Sequence, residues 1–416
     1  MARSLYLDTA RLGPMSPTAL RLHTEFVRLA AEEPCSLYCE EFLKHGIRPG
    51  LDFGERYPEL QLWHGISDLK QKISDEFTAG AVPSSQVLLT SRTGQLMRMS
   101  ADMLTHRCQR ILVTDLIWPP YLRVLRNAAA TKACKVTLIS IRERMFNGDL
   151  SQRKLLDLLV NRFEQCKCDG LFLPLVDHCG ARLPVEPLYD LLHRSEQLRC
   201  SVLDASQSFG HINLPESTAR ADFVFGGGHK WVGSYLPLGI GLVGNAETAA
   251  ELRKPDRHGS WNDALLRLLE SSSASSMKDP RETVNMTPLL ACRGALEDVR
   301  RRSCDQQNLN RRIAEQLLIQ HGWRTLLPDS SFQTGILLAQ AGSAADKTAD
   351  PAAIRRRFMQ AGLAVTTYAG GLVRFSIPYR KFTTVEVDCL GRGLAAVSSN
   401  LYSIIGSDNP TTRTQH

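Results

Sequence analysis

No stretch of the sequence approaches the roughly 18 to 20 consecutive apolar residues that a membrane-crossing helix needs; the longest candidate, Leu236 to Gly244, is short and punctuated by glycine. A membrane protein is not expected. Long blocks of one charge are also missing. The basic runs are the triplets Arg300 to Arg302 and Arg355 to Arg357, both on helical patterns that read as solvated faces, so nucleic acid is not an expected partner. The N-terminus carries Arg3, Asp8 and Arg11 where a signal peptide would need an apolar stretch, and eleven cysteines are an odd number. A soluble cytoplasmic protein with mostly free thiols is therefore expected. The triplet Gly226-Gly227-Gly228 lacks the spacing of a P-loop or a dinucleotide fingerprint, and no internal repeat is found.

What is present is ordinary globular composition: 416 residues, 43% hydrophobic, 22% charged, net charge +7. From about residue 85 to 245, short apolar runs alternate with helical patterns, the sequence form of a parallel sheet covered by crossover helices. The strands expected are Gln86 to Thr90, Arg110 to Thr114, Lys135 to Ile139, Gly170 to Leu175, Ser201 to Asp204, Asp222 to Phe225 and Gly239 to Val243. The fold class is α/β, with an arm at 1–15, a large domain at 16–255, a serine-rich connection at 256–285, a smaller α+β domain at 286–406 and a disordered polar tail at 407–416. In the smaller domain one long helix is expected from Leu289 to Gln320. Strands at Thr334 to Ala339, Ala364 to Tyr368 and Val373 to Ile377 and helices at Pro351 to Gln360 and Thr384 to Ser399 follow it.

In open parallel sheets ligands sit beyond the carboxyl ends of the strands. That rule singles out Asp204, ending one strand in Asp204-Ala205-Ser206-Gln207, and Lys230, just past the next in Gly227-Gly228-His229-Lys230-Trp231. Taken separately, the acid reads as a helix cap and the lysine as a solvated turn. Together they place an amine and a carboxylate at one sheet edge. A lysine amine forms Schiff bases when neutral, and a carboxylate facing a pyridine nitrogen keeps that ring protonated and electron-withdrawing.

The joint pattern closely resembles the class V aminotransferase family of pyridoxal-phosphate (PLP) enzymes, with their fold-type I architecture. The resemblance spans most of the chain, and its most specific elements are the Asp-x-x-Gln and His-Lys motifs. It implies that Lys230 is the Schiff-base lysine and later the shuttle for the substrate's Cα proton. Asp204 is then the partner of the pyridine nitrogen, Gln207 of the phenolic oxygen, and His229 lies near the phosphate. Position 227, where relatives often carry a hydroxyl, is glycine here, which removes one phosphate ligand.

Upstream, Thr90-Ser91-Arg92-Thr93-Gly94-Gln95 ends a strand and opens a helix, whose free N–H groups suit phosphate. Alone it is equally an ordinary cap; by resemblance to isopenicillin-N-epimerase-like members, Thr93, Gly94 and Gln95 cup the phosphate. Trp118, before Pro119-Pro120, matches the residue stacked on the cofactor ring, with a core tryptophan as the alternative. Asp177 or His178 falls in a turn that in relatives lies near the phenolic oxygen, in unclear register; taken alone, either reads first as an ordinary turn residue. Arg374 resembles the arginine that grips the substrate carboxylate, a task suited to its two parallel N–H donors. Thr283 resembles a residue that reaches the phosphate across a dimer interface, implying a homodimer with shared sites. The segment Leu5 to Ala10 resembles the arm bordering the site.

Desulfurases of this family place a cysteine before the carboxylate-binding arginine, whereas no cysteine lies between Cys304 and Cys389 here. Desulfuration is not expected. Cys166-Lys167-Cys168 with Cys179 has poor ligand spacing, so no metal is expected. The resemblance implies PLP as cofactor and an amino acid or amine as substrate, processed through an external aldimine. Transamination stands first, a β-eliminating lyase or epimerase second, and a non-catalytic or nucleotide-binding relative is the reading from another class.

Overall fold

The structure is a computed structural model that describes residues 4–33, 40–46, 53–194, 196–252, 263–271 and 285–405. Thr283, most of the connection expected at 256–285 and the tail expected at 407–416 lie outside the described residues. The chain divides into one unit of Leu12–Arg302 and another of Met1–Arg11 with Ser303–His416.

The first strand, β1 (Leu5–Tyr6), belongs to the second unit. The first unit is built on β2 (Val87–Thr90), β3 (Arg110–Thr114), β4 (Lys135–Ile139), β5 (Gly170–Pro174), β6 (Cys200–Asp204), β7 (Phe223–Gly227) and β8 (Gly239–Val243). Each of these runs was readable because a strand covered on both faces is apolar throughout: β2, β5, β6, β7 and β8 are buried at every residue. At the sheet's edge, β4 is instead exposed or partly exposed at every residue but the buried Ile139. The order is β2-β8-β7-β6-β5-β3-β4. Strand β8 runs antiparallel to both neighbours, and the other pairs are parallel. The carboxyl ends of β2 to β7 therefore share one edge, where the crossover turns gather.

The expected helix from Leu289 to Gln320 is two helices, Thr287–Val299 and Cys304–Gln320. Apolar periodicity runs across the break, but two local features stop it. Ser303 caps the second helix by accepting from the N–H of Gln306. Arg302 turns inward to donate to the carbonyls of Gly210 (2.9 Å), Val232 (2.9 Å) and Trp231. The triplet Arg300 to Arg302 thus lies in a turn, and its last member is a structural clamp rather than a solvated charge.

The second unit carries β9 (Trp323–Thr325), β10 (Ile336–Ala341), β11 (Leu363–Ala364), β12 (Thr366–Tyr368) and β13 (Leu372–Ser376). An antiparallel sheet of order β12-β13-β10-β9 packs with helices Cys304–Gln320, Pro351–Gln360 and Thr384–Ile405, an α+β arrangement. The single strand expected at Ala364 to Tyr368 is split at the buried Val365, β11 pairing with β1 and β12 with β13. Among the described residues no helix is long and apolar enough to cross a membrane.

Candidate active site

Asp204 ends β6 and is buried. Its Oδ1 accepts from the backbone N–H of Ser206 at 2.8 Å. Burial raises its pKa above the ordinary carboxylate value, opposed by the Ser206 hydrogen bonds and by the charge of Lys230. The same lysine charge, after burial, lowers the pKa of His229 to about 4, so that imidazole is neutral at pH 7. Lys230 thus acts electrostatically on both expected partners, and all three lie at the carboxyl edge of β6 and β7.

The backbone bearing Lys230 is fixed from several sides. Gly13 donates its N–H to the carbonyl of His229 at 2.8 Å, and a Cβ at Gly13 would come 1.8 Å from the carbonyl oxygen of Lys230, which explains glycine there. The N–H of Gly233 returns to the Lys230 carbonyl at 3.1 Å, and Arg302 clamps the next two carbonyls. Pre-organisation of this kind holds the backbone at Lys230 in one place. Neither Gly13 nor Arg302 carried any signal in the sequence, because both act only once the chain is folded.

The helix Thr93–Arg107 begins after β2 with no side-chain cap, and space within 4 Å of where a Cβ would stand at Gly94 is open. The amide nitrogen of Gln95 and Nδ1 of His229 are buried without hydrogen-bond partners. At Gly227 a Cβ would lie 2.6 Å from Oγ1 of Thr93 and 2.9 Å from the His229 ring. The hydroxyl of Thr93 therefore occupies the space next to position 227, donating to the carbonyl of Gly226 at 3.3 Å. An uncapped helix start, an open space and buried donors without partners are what a phosphate requires. The residues present fit PLP.

Trp118 precedes the helix Pro119–Ala130, is 45% exposed and meets the ring of Tyr121 edge-on at 4.9 Å. Tyr121 is buried, and its phenol pKa is raised by burial and then by the Asp204 charge. Sequence reasoning missed this tyrosine, although its spacing of three from Trp118 in a first helical turn puts both on one face. Gln207 is buried, and its Oε1 accepts from the indole N–H of Trp231 at 2.8 Å.

Asp177 is consumed by its own turn. Oδ1 accepts from the N–H groups of Cys179 (2.9 Å) and Ala181 (2.8 Å), and Oδ2 lies 3.5 Å from Arg142. Ligand atoms of Asp177, His178 and Cys179 lie within 4.8 Å of one another, but the Arg142 guanidinium already contacts both the carboxylate and, at 3.4 Å, the Cys179 sulfur. A cationic side chain stands where a metal would have to.

In the second unit Arg374 is buried on β13, and its Nη2 lies 3.2 Å from Oδ1 of Asp8, with Thr366 donating to the same oxygen at 2.6 Å. The arm segment thus holds this arginine through a charged hydrogen bond.

The profile of the family described as Aminotransferase class-V matches residues 72–321, and the chain belongs to that family. It is accordingly a PLP-dependent, aminotransferase-like enzyme with PLP as its cofactor. No curated protein matches the sequence. Among solved structures, alanine–glyoxylate aminotransferase from Nostoc sp. superposes with TM-score 0.67 at 16% identity, over 95% of this chain and 96% of that one. The cysteine desulfurase CsdA from Escherichia coli gives 0.68 at 15%, over 96% and 95%. A mutant of C-DES, with glycine covalently linked to the PLP cofactor, gives 0.65 at 16%, over 95% and 97%. At such identities the likeness shows the fold.

Proposed function

We propose that the chain is an aminotransferase acting on an amino acid or amine, with Lys230 as its catalytic amine. The observation carrying this reading is the electrostatic meeting of Lys230 with Asp204 and His229 beside an uncapped helix start. Bound PLP supplies an electron sink that weakens the bonds at the carbon bearing the substrate's amino group. Asp204 holds a proton on the ring nitrogen, which its burial beside a cation equips it to do. Thr93, Gly94, Gln95 and His229 bind the phosphate. Gln207 hydrogen-bonds the phenolic oxygen, and Trp118 covers the ring face. Lys230 Nζ takes up and returns the proton at the substrate carbon, and Arg374, tethered by Asp8, holds the substrate carboxylate.

The active form is a homodimer in which Thr283 reaches the partner's phosphate; sedimentation equilibrium showing a monomer that binds PLP would remove that role. PLP titration followed by absorbance, then a screen of amino donors with products identified by mass, tests the reaction. A keto acid formed from the donor supports transamination. Loss of a β-substituent, or solvent deuterium incorporated without a keto acid, would replace it with elimination or epimerisation. A wild type that stays colourless with PLP would overturn the whole reading.

A further inference from the structure

A carboxylate from a later part of the chain grips the turn between β2 and the helix Thr93–Arg107. Asp263 is buried and stands directly before the helix Ala264–Ser271. It divides its two oxygens between two elements. Oδ1 accepts from the backbone N–H of Leu266 at 3.0 Å, and the Asp263 carbonyl accepts from the N–H of Arg267 at 3.1 Å, which makes this residue the cap of its own helix. Oδ2 accepts from the backbone N–H of Ser91 at 2.9 Å, and the Ser91 hydroxyl donates to Oδ1 at 3.3 Å. Two backbone donors have to be met by two acceptor atoms; a carboxylate has them, whereas an amide has one. The platform is firm, since Leu265, Leu266 and Leu269 are buried and Leu266 shares a core cluster with Leu88 of β2.

Ser91 lies two residues before the uncapped helix start at Thr93. Next to it, the Arg92 carbonyl accepts from the Thr90 hydroxyl and from the N–H of Gln95, each at 3.0 Å. A trans peptide points its N–H opposite to its C=O, so holding the Arg92 carbonyl also aims the N–H of Thr93. Asp263 holds the Thr90–Ser91 peptide in the same way, through its N–H. We infer that Asp263 is a positioning residue that sets the turn so that the helix-start N–H groups converge on the cofactor's phosphate. This rests on the proposed seating of that phosphate at Thr93, Gly94 and Gln95. The charge of Asp263 has the wrong sign to help directly: on charge alone, removing a carboxylate from the neighbourhood of a phosphate strengthens binding. Positioning predicts the reverse.

The test compares PLP with pyridoxal, which keeps the aldehyde and lacks the phosphate, each titrated into the full-length apoprotein and followed by absorbance. Asp263→Ser keeps one oxygen to cap its helix and loses the one that reaches Ser91. It should bind PLP about tenfold more weakly, the weight of one hydrogen bond to a charged group, and bind pyridoxal as wild type does. Ser91→Ala, which loses only the 3.3 Å contact, should weaken PLP binding less. Unchanged or tighter PLP binding in Asp263→Ser overturns the inference. Equal weakening of PLP and pyridoxal also overturns it, because a general loosening of the fold acts on both. Should Asp263→Ser not fold, Asp263→Asn, which also caps helices but sets a donor against one of the two N–H groups, is read by the same criteria. A wild type with no preference for PLP over pyridoxal would instead remove the phosphate reading itself, so the two failures are distinguishable.

Discussion

The two ends of the large sheet carry different kinds of polar residue. At the carboxyl edge stand Asp204, His229, Lys230 and the uncapped helix start, with buried polar atoms that have no partners. At the amino edge stand four cysteines. Cys108 and Cys168 precede β3 and β5 by two residues, Cys134 directly precedes β4, and Cys200 opens β6. All are buried. Burial raises the thiols of Cys134 and Cys168 to about 11, and Cys200 is also raised, through its contact with Cys108 and burial. The sheet thus has buried polar atoms without partners at one edge and packed thiols at the other, with β6 contributing to both. Titratable side chains become chemistry where space is left open and packing material where it is not.

The comparison breaks most decisively at Lys230. Lys230→Ala should abolish the visible band and lower turnover by on the order of 10²–10⁴-fold or more, read by absorbance and steady-state kinetics. A retained band would move the reactive amine elsewhere.

The next effect is a pH dependence at the carboxyl edge. His229 falls to about 4 in the folded chain, below its unfolded value near 6.5, so protonation opposes folding. Its contribution is intact above pH 6.5, declines as pH falls and is gone below pH 4, a loss of about 3 kcal/mol. Asp204, raised in the fold, acts in the opposite sense. Comparing the apoprotein with His229→Asn by urea unfolding at pH 7 and pH 4.5 isolates the histidine; equal slopes with pH would refute its neutral burial.

Gly13→Ala should cost about 2–3 kcal/mol, because the new methyl overlaps the Lys230 carbonyl. Weaker PLP binding should accompany it. At the amino edge, Cys200→Ala should cost about 1–2 kcal/mol in stability and leave the band as in wild type. A shifted band there would erase the contrast between the edges.

Much of this layout was legible in advance because burial on both faces writes a strand as an unbroken apolar run. β3, β4 and β8 have the expected bounds, and the other large-sheet strands lie within two residues of them. Asp204 stood out for the same reason, as a polar residue ending such a run, and Lys230 as the lysine three residues past the next one. What stayed hidden depends on partners distant in sequence. Arg142 reaches the Asp177 carboxylate from 35 positions away, Arg302 ends a helix by bonding carbonyls near residues 210 and 231, and Trp231 engages Gln207 across 24 positions. No local pattern encodes such pairings.

Glycine at position 227 leaves its space to a residue from another element, Thr93 at the start of the helix Thr93–Arg107. With the Thr93 oxygen 2.6 Å and the His229 ring 2.9 Å from where a methyl would begin, any side chain at 227 requires both neighbours to shift. A search keyed to a hydroxyl at 227 alone would pass over this chain, where residue 93 already places one beside that position.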